Sequence, residues 1–130
     1  MIITDASFLV MAIADDGTGG TRARTRLRGQ ELAAPHLIDV EVTSVLRRSA
    51  RAGNVTRQRA RQALQDLTDL NIERVAHTTL LPRVWELRDN YTPYDACYIA
   101  LAELFRAPLL TYDAKMASGS GARCTFEVFP

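Results

Sequence analysis

Lysine is almost missing from this chain: of sixteen basic residues, Lys115 is the only one that is not arginine. Cysteine is nearly as scarce. Cys97 and Cys124 follow no metal-ligand spacing, which excludes a disulfide-dense scaffold and leaves free thiols in a reducing cytosol as the expectation. The two histidines, His36 and His77, show no ligand-pair spacing and read as structural or surface residues. No apolar run approaches the roughly 20 residues of a membrane helix. Met1-Ile2-Ile3-Thr4-Asp5 lacks the basic start of a secretory leader, so a soluble, cytoplasmic protein without membrane attachment is expected.

What is present suits one globular domain over residues 1–130, with 47% apolar and 24% charged residues, too apolar for disorder. The net charge of +1 conceals an asymmetry. Residues 22–61 hold ten arginines against Glu31, Asp39 and Glu41, while the flanking stretches are acidic. Such a division suits either a polyanion-binding flank beside an acidic site or arginines that merely solvate helix faces.

Apolar runs and helical spacing alternate along the chain. Residues 1–4 read as a buried strand that ends at Asp5, with Ser7 capping the next helix. Asp15 to Gly20 reads as a loop and about 21–29 as an arginine-rich helix. Residues 31–35 are extended, and 36–52 form a helix closed by Gly53. Thr56 caps a helix with the stripe Ala60, Ala63, Leu64, Leu67 and Leu70. Residues 72–75 are extended, about 79–89 helical, and Thr92 opens a helix to about Arg106. Residues 108–112 form a second buried strand, 118–121 a loop and 125–129 an edge strand. Strands alternating with helices predict an α/β fold with a central parallel sheet flanked by helices.

Four acids stand where this fold places ligands. Asp5 and Asp113 lie just past the carboxyl ends of two central strands, the edge where open α/β sheets bind. Asp95 sits in the first turn of a helix. Each also has a local explanation: a helix cap for Asp5, a capping box with Thr92 for Asp95, a turn for Asp113. Glu41 lies on the stripe of Ile38, Val42 and Val45, so it must be paired with an arginine, hydrogen-bonded or metal-coordinating. Two carboxylates about 5 Å apart repel by roughly 3 kcal/mol at an effective dielectric near 20. Four together need a counter-charge, and hard oxygens without His or Cys favour Mg²⁺ or Mn²⁺. Such a metal serves phosphate hydrolysis, in keeping with a basic flank for a polyanionic substrate.

Four segments carry a resemblance. They are Ile3-Thr4-Asp5-Ala6-Ser7, residues Asp39 to Arg48, residues Thr92 to Glu103, and Pro108-Leu109-Leu110-Thr111-Tyr112-Asp113. In that order and spacing the chain resembles the PIN-domain family, specifically the VapC-type toxins of bacterial type II toxin–antitoxin systems. The resemblance implies a PIN-like parallel sheet of about five strands and a divalent-metal-dependent endoribonuclease. It implies Asp5, Glu41, Asp95 and Asp113 as the catalytic, metal-holding cluster, with Ser7 and Thr111 as supporting hydroxyls. Mg²⁺, with Mn²⁺ as substitute, is the implied cofactor. RNA is the implied substrate, its class (tRNA, rRNA or mRNA) left open, and a cognate VapB-type antitoxin and a homodimer are the implied partners. Some family members carry a further acid after the position of Asp113. Here Ala114, Lys115, Met116 and Ala117 follow, which puts a second metal in doubt.

Arg47, Arg48 and Arg51 follow Glu41 on its helix and are candidate contacts to RNA phosphates, as is Lys115. Tyr94 and Tyr112 flank proposed ligands and read as core tyrosines rather than base-stacking ones. Leu81 and Trp85 lie on a helix that offers a face to a partner subunit. The alternative reading is a catalytically inactive PIN-like RNA-binding or scaffold protein.

Overall fold

The computed structural model describes residues 1–130. Five short strands form one sheet in the order β3-β2-β1-β4-β5, every pairing parallel. They are β1 Ile2–Thr4, β2 Leu32–Pro35, β3 Ile72–Val75, β4 Leu109–Thr111 and β5 Phe126–Val128. β1, β2 and β4 are buried along their whole length, as near-continuous apolar runs require when helices cover both faces.

The chain runs outward from β1 through β2 to β3, then returns to lay β4 on the other side of β1. This reversal makes a switch point between β1 and β4, and ligands of open α/β sheets bind in the crevice beyond the strand ends there. Ile3 aligns with Leu109 and Thr4 with Leu110 across it.

Seven α-helices connect the strands: α1 Ala6–Ala14, α2 Thr18–Leu27, α3 Ile38–Arg51, α4 Arg57–Asp69, α5 Leu81–Glu86, α6 Pro93–Phe105 and α7 Ala114–Ser118. α6 is the most deeply set, with Ala96 to Ala102 all buried. Its first turn faces the carboxyl edge of the sheet, because a helix leading into a parallel strand runs antiparallel to it. α3, which follows β2, starts at the same edge. No helix is long and apolar enough to cross a membrane.

Four local expectations are corrected. The cap of α1 is Asp5, whose side chain accepts from the Phe8 amide, and not Ser7. Gly19 and Gly20 lie inside α2 rather than in a loop. Gly20 sits so close to the end of α1 that a Cβ there would stand 1.9 Å from the Asp15 carbonyl oxygen, so packing overrides the glycine signal. The helix expected over 79–89 is a 3₁₀ turn at His77–Leu80 followed by α5, which ends at Glu86. Pro82 has no N–H to give a preceding turn, so the α-helix starts beside it. The short α7 was not anticipated, since five residues hold too little periodicity to register.

Candidate active site

Asp5 is the most constrained of the four acids. It is buried, and its Oδ1 accepts from the Phe8 amide at 2.9 Å and the Ser7 hydroxyl at 2.7 Å. Its Oδ2 accepts from the Thr111 hydroxyl. Thr111 in turn accepts from the Asp113 amide at 2.9 Å, and Ser7 from the Tyr112 amide at 3.0 Å. Ser7 and Thr111 thus tie the end of β1 to the end of β4 through the Asp5 carboxylate. Burial pushes the Asp5 carboxyl above its ordinary range, the hydrogen bonds pull it back, and Asp113 adds to the rise.

Asp113 caps α7. Its Oδ1 accepts from the Lys115 amide at 2.9 Å and the Met116 amide at 3.2 Å, and these bonds leave Oδ2 uncommitted. The turn-forming explanation therefore holds for one carboxylate oxygen alone.

Asp95 lies in the first turn of α6, where Thr92 accepts from its amide at 3.2 Å. In a capping box the Asp95 carboxylate would also accept from the Thr92 amide, and no such bond forms. That carboxylate accepts no hydrogen bond and is raised to about 6, by burial first and then by Asp113, Glu41 and Asp5.

Glu41 is half-buried in the first turn of α3 and is paired with a tyrosine rather than an arginine. The Tyr98 hydroxyl donates to its Oε1 at 2.6 Å. Burial raises the Glu41 carboxyl, the Tyr98 hydrogen bond lowers it, and Asp5 raises it again. Tyr98 itself is only 1% exposed and is pushed upward by burial and by the carboxylate it faces. Tyr98 was not among the expected site residues. The signal that would have found it is its position three residues after Asp95, on the same face of α6.

The carboxyls pushed above their ordinary range are Asp5, Glu41 and Asp95. Asp16, Asp39, Glu86, Glu103 and Glu127 each pair with an arginine within 3.1 Å. Asp5, Glu41, Asp95 and Asp113 pair with no basic side chain; burial raises the first three, and Asp113 adds to the rise of Asp5 and Asp95, as Asp5 does to that of Glu41. No three of them stand close enough to clasp an ion between them in this structure, so they interact through charge across the crevice. As a donor set, unsalted carboxylates with no nitrogen or sulfur suit a hard divalent cation.

Arg47, Arg48 and Arg51 are exposed on the last two turns of α3, and Arg48 donates to the Ser44 hydroxyl at 3.1 Å. Lys115 is exposed on α7 next to Asp113. Contrary to expectation, Tyr94 is not a core residue: it is 62% exposed, beside Asp95. Tyr112 does join the interior, its ring stacked on Phe8 at 5.6 Å and tilted against Phe129 at 5.7 Å.

The PIN-domain family model matches residues 2–120, nearly the whole chain. The chain belongs to the PIN-domain family. Among its relatives, ribonuclease VapC9 of Mycobacterium tuberculosis is 37% identical over 130 residues, spanning 100% of this chain and 99% of that protein. The crystal structure of M. tuberculosis VapC20, described as a sarcin–ricin-loop-cleaving toxin, superimposes with a TM-score of 0.69 at 15% identity. It covers 91% of this PIN domain and 94% of VapC20. VapBC2 of Rickettsia felis, solved bound to a DNA fragment from its promoter, gives a TM-score of 0.69 at 14% identity over 100% of both chains. These two likenesses establish the fold, a five-stranded parallel sheet flanked by helices. The full-length identity to VapC9 makes this a VapC-type PIN domain.

Proposed function

We propose that this PIN domain is a divalent-metal-dependent endoribonuclease and the toxin of a toxin–antitoxin pair, residues 1–130 acting as one cytoplasmic unit. One observation carries the reading. The Asp95 carboxyl, raised to about 6 by burial, also feels the charges of Asp113, Glu41 and Asp5, and no basic side chain salts any of these four acids. The full-length likeness to a named ribonuclease supports the same chemistry.

Asp5, Glu41, Asp95 and Asp113 would hold Mg²⁺, or Mn²⁺ in its place. When bound, such an ion supplies activation of a hydrolytic water and neutralisation of charge at the scissile phosphate. The chain's own residues do the positioning. Ser7, Thr111 and the Phe8 amide fix Asp5 in one orientation, so its carboxylate reorganises little when substrate arrives. Asp113 keeps one oxygen directed away from its cap. Asp95, raised to about 6 by burial and by its acidic neighbours, lacks a counter-charge that a bound divalent cation would supply.

Substrate RNA would lie across the arginines of α3. Arg47 and Arg51 follow Glu41 by six and ten residues, about 9–15 Å along the helix axis, so they would meet phosphates neighbouring the scissile one. Lys115, beside Asp113, is the corresponding cation on the other flank. The proposed partners are a VapB-type antitoxin, whose arginine-bearing segment would complement the acids, and a second copy of the chain. Exposed Leu81 and Trp85 on α5 are in keeping with the latter.

The test is cleavage of a mixed pool of structured RNA with Mg²⁺, with Mn²⁺ and with chelator, beside Asp95→Asn. Discrete metal-dependent products that vanish in the variant are expected. Products that persist in chelator, or in Asp95→Asn, would overturn the reading.

A further inference from the structure

Every donor to the Asp5 carboxylate comes from α1 or β4, but the donor to Glu41 comes from the middle of α6, 57 residues away in sequence. Tyr98 is the largest of the fully buried side chains and belongs to the hydrophobic core. Its hydroxyl has one partner, Glu41 Oε1 at 2.6 Å. A glutamate has three side-chain torsions to fix, against two for an aspartate, and half-exposed Glu41 receives no other hydrogen bond on its carboxylate. The same helix turn that presents Asp95 therefore anchors Glu41 as well.

We infer that Tyr98 is a positioning residue for the acidic site: its hydroxyl holds one oxygen of Glu41 and directs the other into the crevice shared with Asp5, Asp95 and Asp113. The inference rests on reading those acids as ligands of a divalent cation. It adds a second anchoring system, independent of Ser7 and Thr111. Asp5 is anchored by the sheet, and Glu41 is anchored by the core helix. A phenol suits the role because it donates without bringing positive charge that would compete with a cation for the carboxylate. An arginine in its place would salt the site, as arginines do to the acids elsewhere in this protein.

Partners that orient a metal ligand typically contribute roughly 10- to 100-fold to affinity. The test is Mn²⁺ titration by calorimetry on the full chain and on Tyr98→Phe, with thermal melts of both in chelator. Phenylalanine keeps the buried ring and removes only the donor. The expected result is Mn²⁺ affinity lowered about tenfold or more while the metal-free melting temperature stays within a few degrees of wild type. Unchanged affinity would overturn the inference. So would a loss of affinity accompanied by a large fall in the metal-free melting temperature, since that would mark a packing residue. Failure of the wild-type chain to bind Mn²⁺ at all would instead overturn the metal-site reading, and the role of Tyr98 with it.

Discussion

A carboxyl whose ordinary value is 3.8 and whose folded value is about 6 makes the native state hold a proton that the unfolded chain has already released, and Asp95 is such a group. Below 3.8 the two states are protonated alike and Asp95 costs nothing. As pH climbs from there to about 6, the unfolded chain ionises while folded Asp95 resists, so this contribution to stability declines and then levels off. Asp5 and Glu41 act in the same direction. Asp95→Asn should therefore gain stability over wild type across that window in metal-free buffer, read from urea midpoints at several pH values. A constant difference at every pH would show that the acids do not sense one another. Asp5→Asn should abolish cleavage yet keep the fold, because an asparagine oxygen still caps the Phe8 amide. Circular dichroism beside the RNA assay separates the two effects.

The elements that could be read from sequence were those with a local signal. The core strands announce themselves as apolar runs, and the caps of α4 and α6 as Thr56 and Thr92. The four acids stood out because each breaks a pattern at a strand end or on a helix face. What escaped was non-local or too short. α7 is five residues long, and the bond from Tyr98 to Glu41 joins α6 to α3: the spacing of Tyr98 from Asp95 puts it on the right face, but its partner lies 57 residues away. Tyr94 was misjudged because a tyrosine in the first turn of a mostly buried helix can still project outward. At this scale α3 carries the arginine prediction. Arg47→Glu with Arg48→Glu should weaken RNA binding and make its dependence on salt shallower by about 1.4 in log–log slope, from about 0.7 per phosphate lost on single-stranded RNA. Affinity measured between low and moderate salt would check it, and an unchanged slope would place the RNA elsewhere.

For the molecule as a whole, a ligand that binds only the folded state stabilises it by mass action. Mg²⁺ or Mn²⁺ at one hundred times its dissociation constant should add about 2.7 kcal/mol, a rise in melting temperature on the order of 10 °C for a chain of this size. Differential scanning calorimetry with each ion, and with Ca²⁺ as a larger cation, would measure it. No shift at millimolar concentration would count against the site. The Asp5→Asn chain should show a much smaller rise.

The hydroxyl of Thr111 reaches back to Asp5, and the proposed site draws on residues 5, 41, 95 and 113, more than a hundred residues of chain. A ribosome adding about 5–20 residues per second needs roughly 5–20 s to travel from the first of these acids to the last. Until β4 is made, β1 lacks one of its two neighbours and Asp5 its Thr111 tether. On the proposed reading, the nascent chain is harmless to the RNA around it until β4 and Asp113 have been added. A message truncated anywhere before the codon for Asp113 would yield an inert fragment rather than a partly active poison. A cell carrying such a gene is thus shielded from its interrupted products by topology alone.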